Sequence, residues 1–196
     1  MPVSKVTASK RGKAAIAGVM AAAVSAGGIW YVKGTDGAQH PASVVLATQN
    51  IEKWEGFAGS AYMDRIANPP ICTFGFGETK GCKMGMKITR SEAEALLAVR
   101  VERDFYTPMT KCIKDFAKMP VGVQASAIMG SYNYGVARWC HSTAAQWFAK
   151  KEYRKGCDAA TAFNRAGGRV VNGLVHRREM GDAQRLGEAE LCVSGL

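Results

Sequence analysis

The stretch from Trp54 to Gly81, W-E-G-F-A-G-S-A-Y-M-D-R-I-A-N-P-P-I-C-T-F-G-F-G-E-T-K-G, constrains this chain more than any other part of it. Pro69-Pro70 and the Gly75/Gly77 pair exclude a helix between Tyr62 and Gly85. Thr73-Phe74-Gly75-Phe76 alternates as a small antiparallel sheet does. Just upstream, Val44, Val45, Ile51 and Trp54 fall on one face of a short amphipathic helix over Ala42–Trp54. The pattern therefore sets Glu55 at the C-terminal end of a helix, Asp64 in extended chain or turn, and Thr73 just before a Gly-x-Gly turn.

These surroundings differ in a chemically useful way. A helix C-terminus disfavours negative charge, and Trp54 and Phe57 would strip water from Glu55; both effects favour a protonated carboxyl. Hydrolysis of a glycosidic bond needs such a pair: one carboxyl kept protonated to donate, and one ionised to activate water or attack. Two acids at this spacing carry little meaning alone. The ordered set of Glu55, Tyr62, Asp64, Thr73, Gly75, Gly77 and Thr79 is far more specific.

That set resembles the signature of phage-type lysozymes, glycoside hydrolase family 24, which runs E-G, then A-Y-x-D, then T-x-G-x-G-x-T. Here it is matched by Glu55-Gly56, Ala61-Tyr62-Met63-Asp64 and Thr73-Phe74-Gly75-Phe76-Gly77-Glu78-Thr79. The segment Gly173-Leu174-Val175-His176-Arg177-Arg178-Glu179 resembles the family's C-terminal G-L-V-x-R-R-E, whose arginines more often hold carboxylates than catalyse. There are two departures. Asn68-Pro69-Pro70 lengthens the loop between Asp64 and Thr73, and Glu78 stands where the family usually has histidine. The resemblance implies an α+β fold: a small lobe with a short antiparallel sheet, a larger helical lobe, and a long helix joining them. It implies muramidase activity on the β-1,4 bond between N-acetylmuramic acid and N-acetylglucosamine in peptidoglycan. Glu55 would be the proton donor, Asp64 the residue that activates water or stabilises the transition state, and Thr73 the residue that holds that water. It also implies inversion, with the carboxyl groups about 6.5–9.5 Å apart. Neither cofactor nor metal is expected, and a monomer is expected. Two other readings are a lytic transglycosylase, which would need the Glu but not the Asp/Thr pair, and a catalytically inactive, membrane-tethered wall-binding protein.

Charge fits an anionic partner: 26 Lys+Arg against 16 Asp+Glu give a net charge of +10. No RNA-binding signature, zinc spacing or long basic helix points to nucleic acid, whereas peptidoglycan carries carboxylates. The three histidines, His40, His141 and His176, lie far apart, and no C-x-x-C pair occurs. The six cysteines therefore read as disulfides in an oxidising compartment such as the periplasm. Cys72 and Cys82 flank the turn-rich piece and are the first pair expected.

The N-terminus is the second signal. Lys5, Lys10, Arg11 and Lys13 precede an uncharged run from Ala14 to Val32 that is rich in Ala and Gly. As one helix it would span about 28 Å, enough for a bilayer core, and its flanking charges favour an N-in orientation. The arrangement resembles signal-arrest-release endolysins, which leave through the host Sec machinery, wait inactive on the inner membrane facing the periplasm, and are then released into it. A signal peptide cleaved after Val24-Ser25-Ala26 is the second reading and a permanent anchor the third. The chain contains no cysteine before Cys72, which rules out a thiol switch inside the export segment. The expected organisation is thus residues 1–33 as basic tip and export segment, 34–41 as linker, and 42–196 as catalytic domain.

Further along, Thr89-Arg90-Ser91-Glu92 opens a helix with a capping box, expected to end before Pro108. Helices are expected over Val121–Tyr134, Ser142–Lys150, Cys157–Asn164 and Asn172–Leu186.

Overall fold

The computed structural model describes residues 2–65 and 69–196; Asn68, the first residue of the Asn68-Pro69-Pro70 insertion, lies outside them. In chain order the elements begin with α1 (Lys10–Met20), β1 (Val24–Ala26), β2 (Ile29–Lys33) and β3 (Gln39–Pro41). Then come α2 (Ala42–Glu55), β4 (Ala58–Asp64), β5 (Ile71–Gly75), α3 (Arg90–Arg100) and α4 (Thr107–Cys112). The rest is helical apart from one small hairpin: α5 (Val121–Tyr134), α6 (Val136–Cys140), α7 (Thr143–Ala149), α8 (Tyr153–Ala160), β6 (Arg165–Ala166), β7 (Arg169–Val170), α9 (Asn172–Arg178) and α10 (Glu188–Ser194).

The α+β organisation is the expected one. The small lobe is the antiparallel pair β4–β5, extended where Ala61 N–H donates to the Met86 carbonyl (2.9 Å) and Ile88 N–H to that of Gly59 (3.0 Å). Phe57 and Phe76 pack beneath it, their ring centres 5.5 Å apart. In the helical lobe α5 is the central element: Gly122 through Ser131 are all buried, and α2 and α10 lie against it. α10 approaches so closely that a Cβ on Gly122 would meet the Leu191 carbonyl at 2.9 Å.

The connecting helix starts as expected: Thr89 accepts from Glu92 N–H while Glu92 accepts from Thr89 N–H. It does not stop before Pro108. Val101–Tyr106 is a π-helical turn, and helical backbone continues through Thr107 into α4. A proline in an α-helix lacks its N–H and strikes the carbonyl four residues back. A widened turn ahead of Pro108 shifts that carbonyl, and the chain carries on.

Two other helices differ from expectation. α8 sits earlier, at Tyr153–Ala160, and α9 ends at Arg178, well short of Leu186. The Asp182 carboxylate accepts from Gln184 N–H (3.0 Å) and Arg185 N–H (2.8 Å), which stabilises a turn in place of helix.

The N-terminal forty residues are the largest correction. The run Ala14–Val32 is not one helix. α1 ends at Met20, and Gly27 and Gly28, at φ +60° and +79°, close a two-residue hairpin that pairs Ala26 with Ile29. Positive φ at both central residues is what such a turn demands, and β-branched and aromatic Ile29-Trp30-Tyr31-Val32 supply the strand. The expected linker 34–41 is a tight turn followed by β3, the third strand of this sheet. Among the described residues no helix is long and apolar enough to cross a membrane. This N-terminal arm packs on the helical lobe, with Val6, Val19 and Val32 buried and α1 lying against α10 and α2.

All six cysteines are paired: Cys72–Cys82 as expected, Cys112–Cys140 joining α4 to α6, and Cys157–Cys192 joining α8 to α10.

Candidate active site

Glu55 is the last residue of α2, and Gly56, at φ +73°, turns the chain out of the helix into β4. The register pairs Tyr62 with Thr73 and Asp64 with Ile71. Side chains alternate faces along a strand, so these four residues share one face of the sheet. That face looks onto a cavity of about 480 Å³, lined also by Glu55, Gly75, Gly77 and Thr79. The structure thus brings the three sequence-predicted residues, Glu55, Asp64 and Thr73, to one cleft from a helix end and two strands. Gly77 lets the Phe76–Thr79 turn come close to the acid: a Cβ there would sit 3.9 Å from Glu55 Oε2 and 3.7 Å from Tyr132 Oη.

Thr73 is buried, and its hydroxyl donates to the Ile71 carbonyl at 3.3 Å. Its proton is engaged, which leaves its lone pairs to accept. Glu55 is 24 % exposed at the side chain, and its Oε1 accepts from Arg177 Nη2 at 2.7 Å. The expectation of a carboxyl shaped only by a helix end and aromatics omitted this ion pair. Arg177 is 122 residues away in sequence, and the G-L-V-x-R-R-E resemblance was the one signal for it.

Behind Arg177 lies a buried charge network. Arg177 Nε reaches Glu188 Oε1 at 3.4 Å, and Arg178 also pairs with Glu188 and with Asn133 Oδ1. Arg178 Nε donates to the Phe163 carbonyl at 3.1 Å. Both arginines therefore hold carboxylates, as the sequence suggested. Trp54 contributes from the neighbouring position: its indole N–H donates to the Leu186 carbonyl (2.9 Å), and the Arg185 guanidinium stacks 4.0 Å over its ring.

Glu78, the third acid of the motif region, is turned away from the cleft. Its carboxylate accepts from Thr79 N–H (2.8 Å) and Lys80 N–H (2.7 Å) and pairs with Arg100 Nε (3.4 Å). It shapes the turn and adds no third acid to the cavity. Arg100 also donates to Tyr132 Oη (3.2 Å), whose own proton goes to the Phe76 carbonyl (2.7 Å). Burial pushes the Tyr132 phenol up to about 12, so it stays a donor at every working pH. Among the described residues no group of three His, Cys, Asp or Glu side chains is placed to hold a metal ion.

The family model for phage lysozyme matches residues 52–181. No curated protein matches the chain by sequence. Among solved structures, an endolysin from Escherichia coli O157:H7 phage FAHEc1 is similar over 76% of this chain and 92% of its own, with 26% identity and a TM-score of 0.62. The muramidase domain of SpmX from Asticaccaulis excentricus shares the fold at 16% identity and a TM-score of 0.62, over 75% of this chain and 94% of its own. The active form of P1 phage endolysin Lyz shares it at 22% identity and a TM-score of 0.57, over 76% and 84%. The matched span starts just ahead of Glu55, takes in the cleft wall with Asp64 and Thr73, and runs past Arg177: the chain belongs to the phage lysozyme family.

Proposed function

We propose that this chain is a phage endolysin that hydrolyses the β-1,4 bond between N-acetylmuramic acid and N-acetylglucosamine and so opens the host wall. The observation that carries this reading is the convergence of Glu55, Asp64 and Thr73 on one cleft. A glycan strand filling the cleft lies against all three residues. Glu55 then protonates the leaving glycosidic oxygen. Asp64 takes a proton from the attacking water, and Thr73 accepts that water's other hydrogen to aim it at the anomeric carbon. Arg177 orients Glu55 through their hydrogen bond.

The reading is tested by digesting purified peptidoglycan and assaying the ends formed. A hydrolase produces one reducing end for each bond cut; a transglycosylase leaves anhydro ends instead. Glu55→Gln should lower the rate by about 10²–10⁴-fold, the usual worth of general acid catalysis, with the fold intact. Anhydro ends, or a Glu55→Gln rate above half that of the parent, would overturn it.

The same reading includes export. The enzyme passes through the Sec machinery, rests on the periplasmic face of the inner membrane through residues 14–32, and leaves that surface without cleavage. Two observations support it: the basic tip ahead of an uncharged run, and the apolar groups that the docked arm still shows to water, with Val24 60% and Trp30 43% exposed. Small residues contribute little transfer free energy, so lipid and the helical lobe compete for the segment on near-equal terms. Fractionation over time should show uncleaved chain moving from membrane to periplasm; an active enzyme that begins near Gly27 would instead mean a cleaved signal peptide.

A further inference from the structure

The loop that starts at Glu179 and runs into the first turn of α10 at Glu190 joins the two halves of the network behind Glu55. Arg177 and Arg178 lie just before it, and Glu188 lies near its far end. Its middle touches the acid's own helix, where Leu186 accepts from Trp54 and Arg185 stacks on that ring. The geometry of this loop therefore bears directly on where Arg177 points.

Partners for this loop come from the N-terminal arm. The Glu179 carboxylate is 1% exposed and accepts from Val3 N–H (2.5 Å) and Ser4 N–H (2.7 Å). The Glu190 carboxylate, also 1% exposed, accepts from Arg11 Nε and Nη2, both at 2.8 Å, and from Gly187 N–H at 3.1 Å. The same Arg11 fork donates to the Met180 carbonyl (2.7 Å) and to that of Asp182. One guanidinium thus ties three points of the loop together. Beside it, Ser9 N–H donates to Ser194 Oγ (3.0 Å) at the start of α1. A Cβ on Gly12 would meet Ser194 Oγ at 2.4 Å, so α1 and α10 sit in a fitted contact.

We infer that the docked N-terminal arm, through Arg11 and the Val3–Ser4 backbone, is a positioning element that holds the Glu179–Glu190 loop so that Arg177 can orient Glu55. Buried carboxylates that lose their donors must gain water or a proton. With the arm undocked, Glu179 and Glu190 are in that position, and the loop relaxes to hydrate them. Arg177 then loses the frame that directs it. Arg11 touches no substrate; it acts through the loop. The inference rests on the assignment of Glu55 as the proton donor.

Soluble, uncrosslinked glycan strands allow kcat and KM to be measured for full-length protein. In Arg11→Met, kcat should fall about tenfold with KM nearly unchanged. Arg11→Lys should recover part of the rate. Loss of packing alone would lower the melting temperature and leave kcat at the parental value wherever the variant is folded. Ser194→Ala, which removes only the acceptor of Ser9 N–H and one hydroxyl bond, should lower kcat two- to threefold and decides the matter if Arg11→Met does not fold. A parental kcat in folded Arg11→Met, or in Ser194→Ala where Arg11→Met fails to fold, overturns the inference. Glu55→Gln measured alongside separates the two claims: its inactivity beside an unaffected Arg11→Met refutes the positioning role alone, and its activity refutes the site.

Discussion

The body of the enzyme and its N-terminal arm are held by different kinds of bond. Between Cys72 and Cys192 three disulfides close the small lobe, the end of the linking helix and the α8–α10 pair. From residue 2 to residue 41 there is no cysteine. The arm is held by three buried valines and by polar clasps: Arg11 on Glu190, Val3 and Ser4 on Glu179, and His40 on Glu102. The body is closed covalently by its three disulfides. The arm has only non-covalent contacts to hold it, among them a histidine between two carboxylates.

The largest test of this contrast removes a body lock. Replacing Cys157 and Cys192 by serine opens a closed loop of 35 residues and should cost about 3–4 kcal/mol in denaturant unfolding. A loss as small as that from an arm substitution would erase the distinction.

Next is the clasp at His40. Its two ring nitrogens face Glu102 and Asp36, the latter at 2.9 Å, so both nitrogens must donate and the ring is an imidazolium. Burial opposes that charge, but the two carboxylates outweigh it and hold His40 above its ordinary value of 6.5. A raised folded value means that the contribution is whole below about pH 6.5 and fades as pH climbs through the raised value. His40→Gln should therefore cost about 2 kcal/mol at pH 6, and the gap to the parent should narrow towards pH 9. Hydrogen exchange of the β2–β3 amides would follow it; a gap independent of pH would argue against a charged ring.

The smallest effect lies inside the body. Glu52, one turn before Glu55, is pushed up to about 7, first by burial and then by Glu94. An acid raised in this way costs stability as pH rises from its ordinary 4.5 towards 7. Glu52→Gln should raise stability at pH 8 by about 1 kcal/mol, after allowance for its half-open position, and change little at pH 4. Equal melting curves at pH 8 would mean that Glu94 does not face a charged Glu52.

What the sequence revealed follows the same division. Local chemistry was legible: the capping box at Thr89, the glycines that bar a helix around Thr73, and the bridge from Cys72 to Cys82 each depend on residues close in the chain. The cleft was legible because Glu55, Asp64 and Thr73 lie within one stretch that folds on itself. The Arg177–Glu55 bond was not, since nothing local fixes a contact across 122 residues. That Ala14–Val32 is not one helix was hidden because an uncharged apolar run serves a bilayer and a protein surface equally well. The Gly27-Gly28 pair before Ile29-Trp30-Tyr31-Val32 was the signal for a hairpin. The continuation through Pro108 had no sequence mark.

That continuation has a consequence for insertions and deletions. In an α-helix each residue advances the direction of the side chain by about 100°, and a π turn holds one residue more than an α turn. Val101–Tyr106 therefore takes up one residue within a single turn, without rotating one half of the linking helix against the other. Upstream, Ala93 and Leu97 face the small lobe and Phe76; downstream, Met109 faces the helical core. Excising one residue from this turn would leave a regular α-helix whose two ends still face their own lobes, whereas excising one from the α-helical stretch upstream would turn one end by about 100° against the other. The two lobes each read a different face of this helix, so its length is fixed along the regular α-helical stretches and has one residue of slack at the wide turn.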